Sequence, residues 1–235
     1  MAENWHKMSD AYAPQFEKFD SPFLVSKFSA SEYAIDPTYW LFKLARYKHC
    51  SRLLEGCKNV LEIGAGDSFA SPMVASKVEN LICCEEFPDL CKYSSEHIPT
   101  IAPNIEIVNC SFPSEAEKLV EKIKDSRNFD AIYSLDVFEH IPKDATNAFM
   151  QKCVDILDNN GIYICGIPSL ESQQYASEGS KIGHVNCMSK SELKQFLSTY
   201  FINTFVFSMN DEVLHTGYGP MSHYLLALCT GPLKK

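Results

Sequence analysis

The sequence predicts an α/β fold built on one doubly wound sheet of seven strands, mostly parallel with the last strand antiparallel, and an N-terminal helical cap. Short apolar segments alternate with helical stretches along the chain, an arrangement that builds a parallel sheet. The first apolar segment runs directly into two glycines one residue apart, as in the turn of a nucleotide-binding βα unit. A hydrophobic content of 46% in 235 residues is enough for one substantial core.

The N-terminal part differs in pattern from the rest. Residues 1–37 are rich in aromatic side chains without a period of 2 or 3.6, which indicates a cap or lid of short helices. Residues 38–54 place Trp40, Tyr47 and Leu54 on one face and predict an amphipathic helix. We therefore divide the chain into a cap at 1–37 and one domain at 38–235.

Seven short apolar segments predict the strands. They are residues 59–63, 81–84, 105–109, 131–134, 161–167, 201–207 and 223–229. The segment between the last two is polar and contains glycines and a proline, so we expect those strands to pair antiparallel as a hairpin. Two capping boxes, Ser114-x-x-Glu117 and Ser189-x-x-Glu192, predict helix starts.

Composition excludes some partners and locations. A formal net charge of -9 argues against nucleic acid and against an anionic membrane surface. The polar start and the lack of an apolar run of about 20 residues predict a cytoplasmic protein. The ten cysteines include several inside apolar runs and form no CxxC pair, so we expect reduced cysteines in the core. We expect a monomer or homodimer.

The loop VLEIGAGDS at residues 60–68 carries the chemistry. Gly64 and Gly66 allow a ligand to approach the backbone over the carboxyl end of the strand. Glu85 follows Gly66 by nineteen residues, at the end of the next strand, where a carboxylate accepts both hydroxyls of a ribose. Glu86 takes this role if the register shifts by one. The pattern indicates a Rossmann-like, nucleoside-binding site.

The identity of the nucleoside follows from the rest of the loop. A dinucleotide site has a third glycine where this chain has Phe69. The segment instead resembles motif I of the class I S-adenosylmethionine (SAM) dependent methyltransferases. The resemblance places Glu62 near the methionine end of SAM and Ala65 in the cofactor loop. It also shows Ser68 where the family usually has a third glycine.

Later segments match the same family in order. The third strand ends at Cys110 and Ser111, where the family often has an aspartate against the adenine amino group. The fourth, FDAIYSLDVFEHIP at 129–142, is similar to that of small-molecule methyltransferases, including those of ubiquinone biosynthesis. This resemblance implies cofactor contacts from Ser134, Leu135 and Asp136.

Methyl transfer from a sulfonium is an in-line displacement, so the protein has to align the reactants, exclude water and remove one proton. His184 is the first candidate base, with a structural role in its loop as the alternative. His140, beside the fourth strand, either contacts the acceptor or orients that loop. His215 and His223 lie in a polar stretch that either faces substrate or is solvated. No Asp-Asn pair follows the fifth strand, so we expect no metal.

The sequence thus predicts a SAM-dependent methyltransferase that acts on an oxygen or nitrogen of a small molecule. A protein methyltransferase and a catalytically silent SAM-fold subunit are the alternatives. We expect no nucleic acid or membrane partner.

Overall fold

The computed structural model of the protein describes residues 25–124 and 128–234, and one mixed sheet of eight strands organises them. The strands are β1 Asn59–Ile63, β2 Asn80–Glu85, β3 Ile105–Asn109, β4 Phe129–Leu135, β5 Leu157–Pro168, β6 Phe201–Asn210, β7 Val213–His215 and β8 Tyr224–Pro232. Their order across the sheet is β3-β2-β1-β4-β5-β8-β6-β7. Strands β1 to β5 pair in parallel, whereas β8 pairs antiparallel with both β5 and β6.

Eight α-helices connect or cover the strands within the described residues. They are α1 Lys27–Ile35, α2 Pro37–Leu53, α3 Ser71–Ala75, α4 Pro88–His97, α5 Glu117–Val120, α6 Thr146–Ile156, α7 Glu178–Gly183 and α8 Lys190–Leu197. Helix α2 begins at a proline in its first turn, and the Asp36 side chain accepts from the Thr38 N–H to cap it. The bounds of the helix predicted for 38–54 are confirmed within one residue at each end, but its buried face includes Arg46 and Ser51 as well as Tyr47.

The sheet is covered on both faces because its central strands are apolar on both sides. Every residue of β1 is buried. Leu61, Ile132 and Tyr163 pack with Phe149 and Leu193, from α6 and α8, on one face. On the other face, the buried side chains of Val60, Leu81, Tyr133 and Ile164 pack with Tyr47 and Cys50 of α2 and Val74 of α3. This double coverage is typical of parallel sheets.

The predicted fold class is confirmed, with one difference in the strand count. All seven predicted strands form, and β7 adds a short eighth strand that pairs antiparallel with the end of β6. The predicted antiparallel pairing of the last two long strands is present as β6 with β8. The capping box at Ser189 is formed, but the one at Ser114 is not. Ser114 instead donates to the carbonyl of Ser111, and α5 begins without a side-chain cap.

Helix α1 is the described part of the predicted cap, whose first 24 residues lie outside the described ranges. The ten cysteines are free and eight are buried, which agrees with reduced core cysteines. Across the described residues, no helix is both long and apolar enough to cross a membrane. Because β1 to β5 run parallel, their carboxyl ends lie along one edge of the sheet, and the loops leaving that edge carry the predicted site residues.

Candidate functional site

The loop after β1 turns tightly at the carboxyl edge of the sheet. Gly64 has φ +75° and Gly66 has φ +59°, which glycine adopts without strain. A Cβ on Gly64 would lie 2.3 Å from a methyl group of Val137 at the end of β4, so this position has no room for a side chain. The N–H groups of Gly64 and Ala65 both donate to the Cys84 carbonyl, which fixes the loop on β2.

Ser68 stands where the motif that this loop resembles usually has a glycine. Its φ is +54°, in the left-handed region that favours glycine. The side chain is buried, and its hydroxyl has no hydrogen-bond partner among the described residues. A small side chain is therefore accommodated at this position.

Glu85 lies where the nineteen-residue spacing predicted it. It is buried at the end of β2, and its Oε2 accepts from the Gly66 N–H at 2.8 Å. Its Oε1 accepts from the Phe87 N–H at 2.9 Å. Glu86 is exposed, and its carboxylate lies 3.4 Å from the Ser111 hydroxyl. The structure therefore joins Glu85, rather than the fallback Glu86, to the glycine loop.

Glu62 points into the protein beneath the loop. Its carboxylate is 1% exposed and accepts from the hydroxyls of Tyr47 and Ser71, both at 2.6 Å. Burial raises the pKa of Glu62, and the hydrogen bonds from Ser71 and Tyr47 oppose that shift. These bonds connect α2, β1 and α3 through Glu62, and its place near the methionine end of a cofactor stays a prediction.

The end of β3 lies beside Glu85. The Cys110 N–H donates to the Glu85 carbonyl at 3.1 Å, and the buried Cys110 Sγ lies 2.9 Å from Cys84 Sγ. Ser111 is half-buried, and its N–H donates to the Glu115 carboxylate at 2.9 Å. Both predicted adenine-side residues therefore lie at the carboxyl edge of the sheet, and Cys110 is hydrogen-bonded to the backbone of Glu85.

The end of β4 carries the remaining predicted cofactor residues. Ser134 is fully buried, and its hydroxyl is 3.0 Å from the Tyr163 hydroxyl. Leu135 is buried against the position a Cβ of Gly166 would take. Asp136 adopts φ +57°, which turns the chain out of the strand. Its carboxylate forms an ion pair with Arg46 at 2.7 Å.

The sequence reasoning missed Arg46. Its guanidinium is centred 3.8 Å from the centre of the Tyr224 ring and 5.7 Å from that of Tyr39, and the residue is 9% exposed. Its Nε has no hydrogen-bond partner in the described ranges. Arg46 lies ninety residues from Asp136 and one residue off the apolar face of α2, so the sequence held no signal for it.

His140 and His184 come together although forty-four residues separate them. Their ring centres are 5.1 Å apart. His140 Nδ1 hydrogen-bonds to the Gly183 carbonyl at 3.0 Å, and His184 Nδ1 to the Gln173 side-chain oxygen at 2.8 Å. Burial, and to a smaller extent His140, lowers the pKa of His184, which favours the neutral imidazole.

Glu139 completes this group, and the sequence reasoning did not single it out as a site residue. It is 1% exposed, and its Oε2 has no partner among the described residues. Burial, and then the neighbouring Asp136, raises the pKa of Glu139 well above its usual value. The Glu139 carbonyl accepts from the Asn186 N–H at 2.9 Å, which fastens the His184 loop to the end of β4.

The other two candidate histidines are His215, the last residue of β7, and His223, which directly precedes β8. His215 contacts the Asn210 side chain at 2.8 Å and accepts from the Gly217 N–H at 2.9 Å. The side chain of His223 is 61% exposed and lies 3.7 Å from Asp211. The structure groups neither of them with His140 and His184.

The N-terminal segment covers the glycine loop. The Ser26 hydroxyl donates to the buried Asp67 carboxylate, and the Phe28 ring lies 3.9 Å from the position a Cβ of Gly66 would take. Trp40 packs on Phe69 with ring centres 4.5 Å apart. These contacts make α1 and the start of α2 a cover over the loop.

Comparisons with known proteins agree with this architecture. Residues 61–165 match a family model described as a methyltransferase domain. No curated protein matches the chain in sequence.

Solved structures with the same fold are distant in sequence. The N-methyltransferase NodS from Bradyrhizobium japonicum WM9, in complex with S-adenosyl-L-homocysteine (SAH), is 14% identical, with 81% of this chain and 86% of that chain covered and a TM-score of 0.57. A DhpI–SAH complex is 15% identical, with 87% and 92% covered and a TM-score of 0.57. A Haloferax volcanii putative methyltransferase, solved with the Trm112 methyltransferase activator, is 13% identical, with 89% and 100% covered and a TM-score of 0.63.

Proposed function

We propose that the chain is a SAM-dependent methyltransferase that acts on an oxygen or nitrogen of a small molecule, and the match of residues 61–165 to a methyltransferase-domain model supports this proposal. The observation that carries the proposal is the contact between the Glu85 carboxylate and the Gly66 N–H. It puts a ribose-binding acid directly against the two-glycine loop. The cofactor complexes of NodS and DhpI support the choice of SAM.

The residues at the carboxyl edge fit this cofactor. Each oxygen of Glu85 accepts one backbone N–H and retains a lone pair for a ribose hydroxyl. Cys110 and Ser111 lie next to it, on the side where we place the adenine. SAM has no phosphate, so a loop flanked by Glu62 and Asp67 meets no pyrophosphate repulsion. Ser134, Leu135 and Asp136 complete the proposed cofactor contacts.

SAM supplies a methyl group on a cationic sulfur, and the chain has to align the acceptor, exclude water and promote the removal of one proton. His184 and His140 are the residues we place at the acceptor. The Nδ1 of each ring is engaged with an oxygen acceptor, which leaves Nε2 available to a substrate. The cover formed by α1 and the start of α2 excludes water from the loop. The cytoplasmic location and the monomeric or homodimeric state stay predictions.

Calorimetric binding of SAM, SAH and NADH to the purified chain tests the cofactor. We expect SAM and SAH to bind and NADH not to bind. Glu85→Ala should weaken SAM binding at least roughly tenfold, because hydrogen bonds to a charged group contribute about 1.5–3 kcal/mol. Glu86→Ala is the matched control and should leave the affinity within about twofold. Binding of NADH instead of SAM, or equal losses in the two variants, would contradict the proposal.

The acceptor class needs a second experiment. Radiolabelled SAM is incubated with the chain and either a library of small alcohols and amines or a protein extract. Label in an acid-soluble product that has been separated from SAM supports a small-molecule acceptor. Label in precipitated protein indicates a protein methyltransferase, and SAM binding without transfer to either fraction indicates a silent SAM-fold subunit.

A further inference from the structure

Three groups of the kind that bind transition metals meet at the end of β4. Glu139, His140 and His184 each offer one ligand atom, and these atoms all lie within 4.8 Å of one another. Ligands of a tetrahedral zinc ion lie about 3.4 Å apart, given bonds of about 2.1 Å. Small rotations of these side chains would therefore bring the three atoms onto one ion.

The hydrogen bonds of both histidines leave the metal-binding nitrogen free. A carbonyl oxygen only accepts, so His140 Nδ1 carries a proton and donates it to the Gly183 carbonyl. The Gln173 side-chain oxygen likewise makes His184 Nδ1 the donor. In the neutral form, each Nε2 then keeps its lone pair. Metal-binding histidines typically donate their other N–H to an oxygen in this manner.

The acceptor of His184 is itself held in place. The Gln173 amide nitrogen donates to the Ser169 carbonyl at 3.2 Å, which orients the amide oxygen towards His184. The Asn186 N–H donates to the Glu139 carbonyl at 2.9 Å and ties the two segments together. These contacts thus orient the two imidazole rings and hold the segments that carry the three residues together.

Glu139 supplies an independent sign of a missing partner. Its carboxyl is 1% exposed, and Oε2 makes no hydrogen bond within the described ranges. A buried polar atom without a partner is costly and needs an explanation, for which an ion is a standard one. The exposed edge of His140 leaves a route to the site from solvent.

We propose that Glu139, His140 and His184 form a binding site for one divalent transition-metal ion. Two imidazoles and one carboxylate suit zinc, iron(II), cobalt or manganese better than magnesium or calcium, which prefer oxygen ligands throughout. Three protein ligands leave coordination positions open. This replaces the expectation of a metal-free site, which rested on the missing Asp-Asn pair after β5.

The open coordination positions of the ion indicate which kind of acceptor the site binds. This part of the inference rests on the proposed methyl transfer. A hydroxyl that coordinates the ion becomes more acidic and loses its proton to water. The resulting oxygen attacks the methyl carbon of SAM, the carbon–sulfur bond breaks with its electron pair on sulfur, and SAH leaves. The inference thus selects an oxygen acceptor with a metal-binding hydroxyl.

Metal binding can be measured without any turnover. The chain is freed of metal with a chelator and titrated with cobalt(II), with absorption spectra recorded at each step. Bound zinc is counted by elemental analysis after dialysis. We expect one ion per chain and a visible ligand-field spectrum without a near-ultraviolet thiolate band. Binding through the free cysteines would produce that band and would overturn the proposal.

Cobalt binding by substituted chains shows whether the ion is bound by these three residues or by other side chains. Glu139→Gln keeps the side-chain shape, and His184→Ala removes one imidazole. Each should weaken cobalt binding at least roughly tenfold. His223→Ala, at an exposed histidine beside Asp211, should leave it unchanged. Equal affinity in Glu139→Gln and the unmodified chain would overturn the proposal even if His184→Ala does not fold.

SAM calorimetry on the same variants distinguishes the two proposals. Metal binding with no SAM binding leaves the metal site standing and removes the proposed function. SAM binding with no metal binding removes the metal site alone. With both intact, chelation should reduce methyl transfer to a hydroxyl acceptor, and added zinc or manganese should restore it.

Discussion

The two halves of the carboxyl edge differ in the hydrogen bonding of their buried carboxylates. In the half formed by β1 and β2, Glu62 and Glu85 have both oxygens engaged by hydroxyls or backbone N–H groups. In the half formed by β4 and the His184 loop, Glu139 has an oxygen with no partner among the described residues. Hydrogen bonds therefore fix the carboxylates of Glu62 and Glu85, whereas one oxygen of Glu139 remains available to a ligand.

This difference follows from what each half is proposed to bind. A ribose is recognised by hydrogen bonds to a carboxylate already oriented by the backbone, so the acid is fixed before the ligand arrives. A metal ion replaces hydrogen bonds altogether, and a fully paired carboxylate would have to give them up. An unpartnered buried group costs about 1–3 kcal/mol. Binding sites commonly contain groups that lower the stability of the folded protein, and Glu139 fits that pattern.

The two halves meet at Gly64, and breaking that contact should have the largest effect. In Gly64→Ala the new Cβ lies 2.3 Å from Val137 and sits at φ +75°. Crowding and left-handed strain together should lower the free energy of unfolding by about 2–4 kcal/mol. Urea unfolding monitored by circular dichroism measures the loss.

Gly56→Ala is the matched control for Gly64→Ala. Gly56 also has positive φ, +89°, but no atom lies within 4 Å of its Cβ position. Gly56→Ala should therefore lower the free energy of unfolding by the backbone strain alone, about 1–2 kcal/mol. Equal losses in the two variants would show that the halves are not packed against each other at Gly64.

The Arg46–Asp136 ion pair should have the next largest effect. Asp136→Asn keeps the shape and tolerates φ +57°, but it leaves the buried Arg46 without a counter-charge. Breaking a buried pair costs about 3–5 kcal/mol, and the 27% exposure of the Asp136 side chain reduces this to about 1–3 kcal/mol. The same urea unfolding measures the difference from the unmodified chain.

An exposed pair provides the comparison for Asp136→Asn. Lys181 and Glu178 lie 2.9 Å apart with the Glu178 side chain 87% exposed. Glu178→Gln should change the unfolding free energy by less than about 0.5 kcal/mol. If Asp136→Asn is equally mild, the ion pair does not hold α2 on the β4 half.

The smallest effect should appear as a pH dependence at Glu62. Because burial raises the folded-state pKa of Glu62, its contribution to stability is fully present below its unfolded-state pKa of about 4.3. That contribution is lost as pH rises through the folded-state pKa. The stability of the unmodified chain relative to Glu62→Gln should therefore fall as pH rises, by about 1.4 kcal/mol for each pH unit that separates the two pKa values.

Denaturation between about pH 4 and pH 8 checks the sign. Glu55 gives the opposite case, because Lys77 lowers its pKa and its contribution is lost as pH falls. Relative to Glu55→Gln, the unmodified chain should therefore gain stability as pH rises. A pH-independent difference for Glu62→Gln would mean that the hydrogen bonds offset the burial of the carboxylate.

Much of the β1–β2 half was predictable from local patterns. The two glycines and the spacing to Glu85 placed the loop and the acid, and β1 has the predicted boundaries. Local prediction failed at one helix start and at one short strand. Ser114 fits a capping box but donates to Ser111 instead, and the short β7 carries too few residues to show a pattern.

The sequence by itself determined the strand and helix periodicity, the turn at Gly64 and Gly66, and the place of Glu85, because these depend on backbone conformation and side-chain alternation over short distances. Only the tertiary structure decided that Arg46 meets Asp136 and that His184 meets His140 and Glu139. Those contacts depend on the path of loops between residues far apart in the chain, and hydrophobic periodicity carries no record of that path.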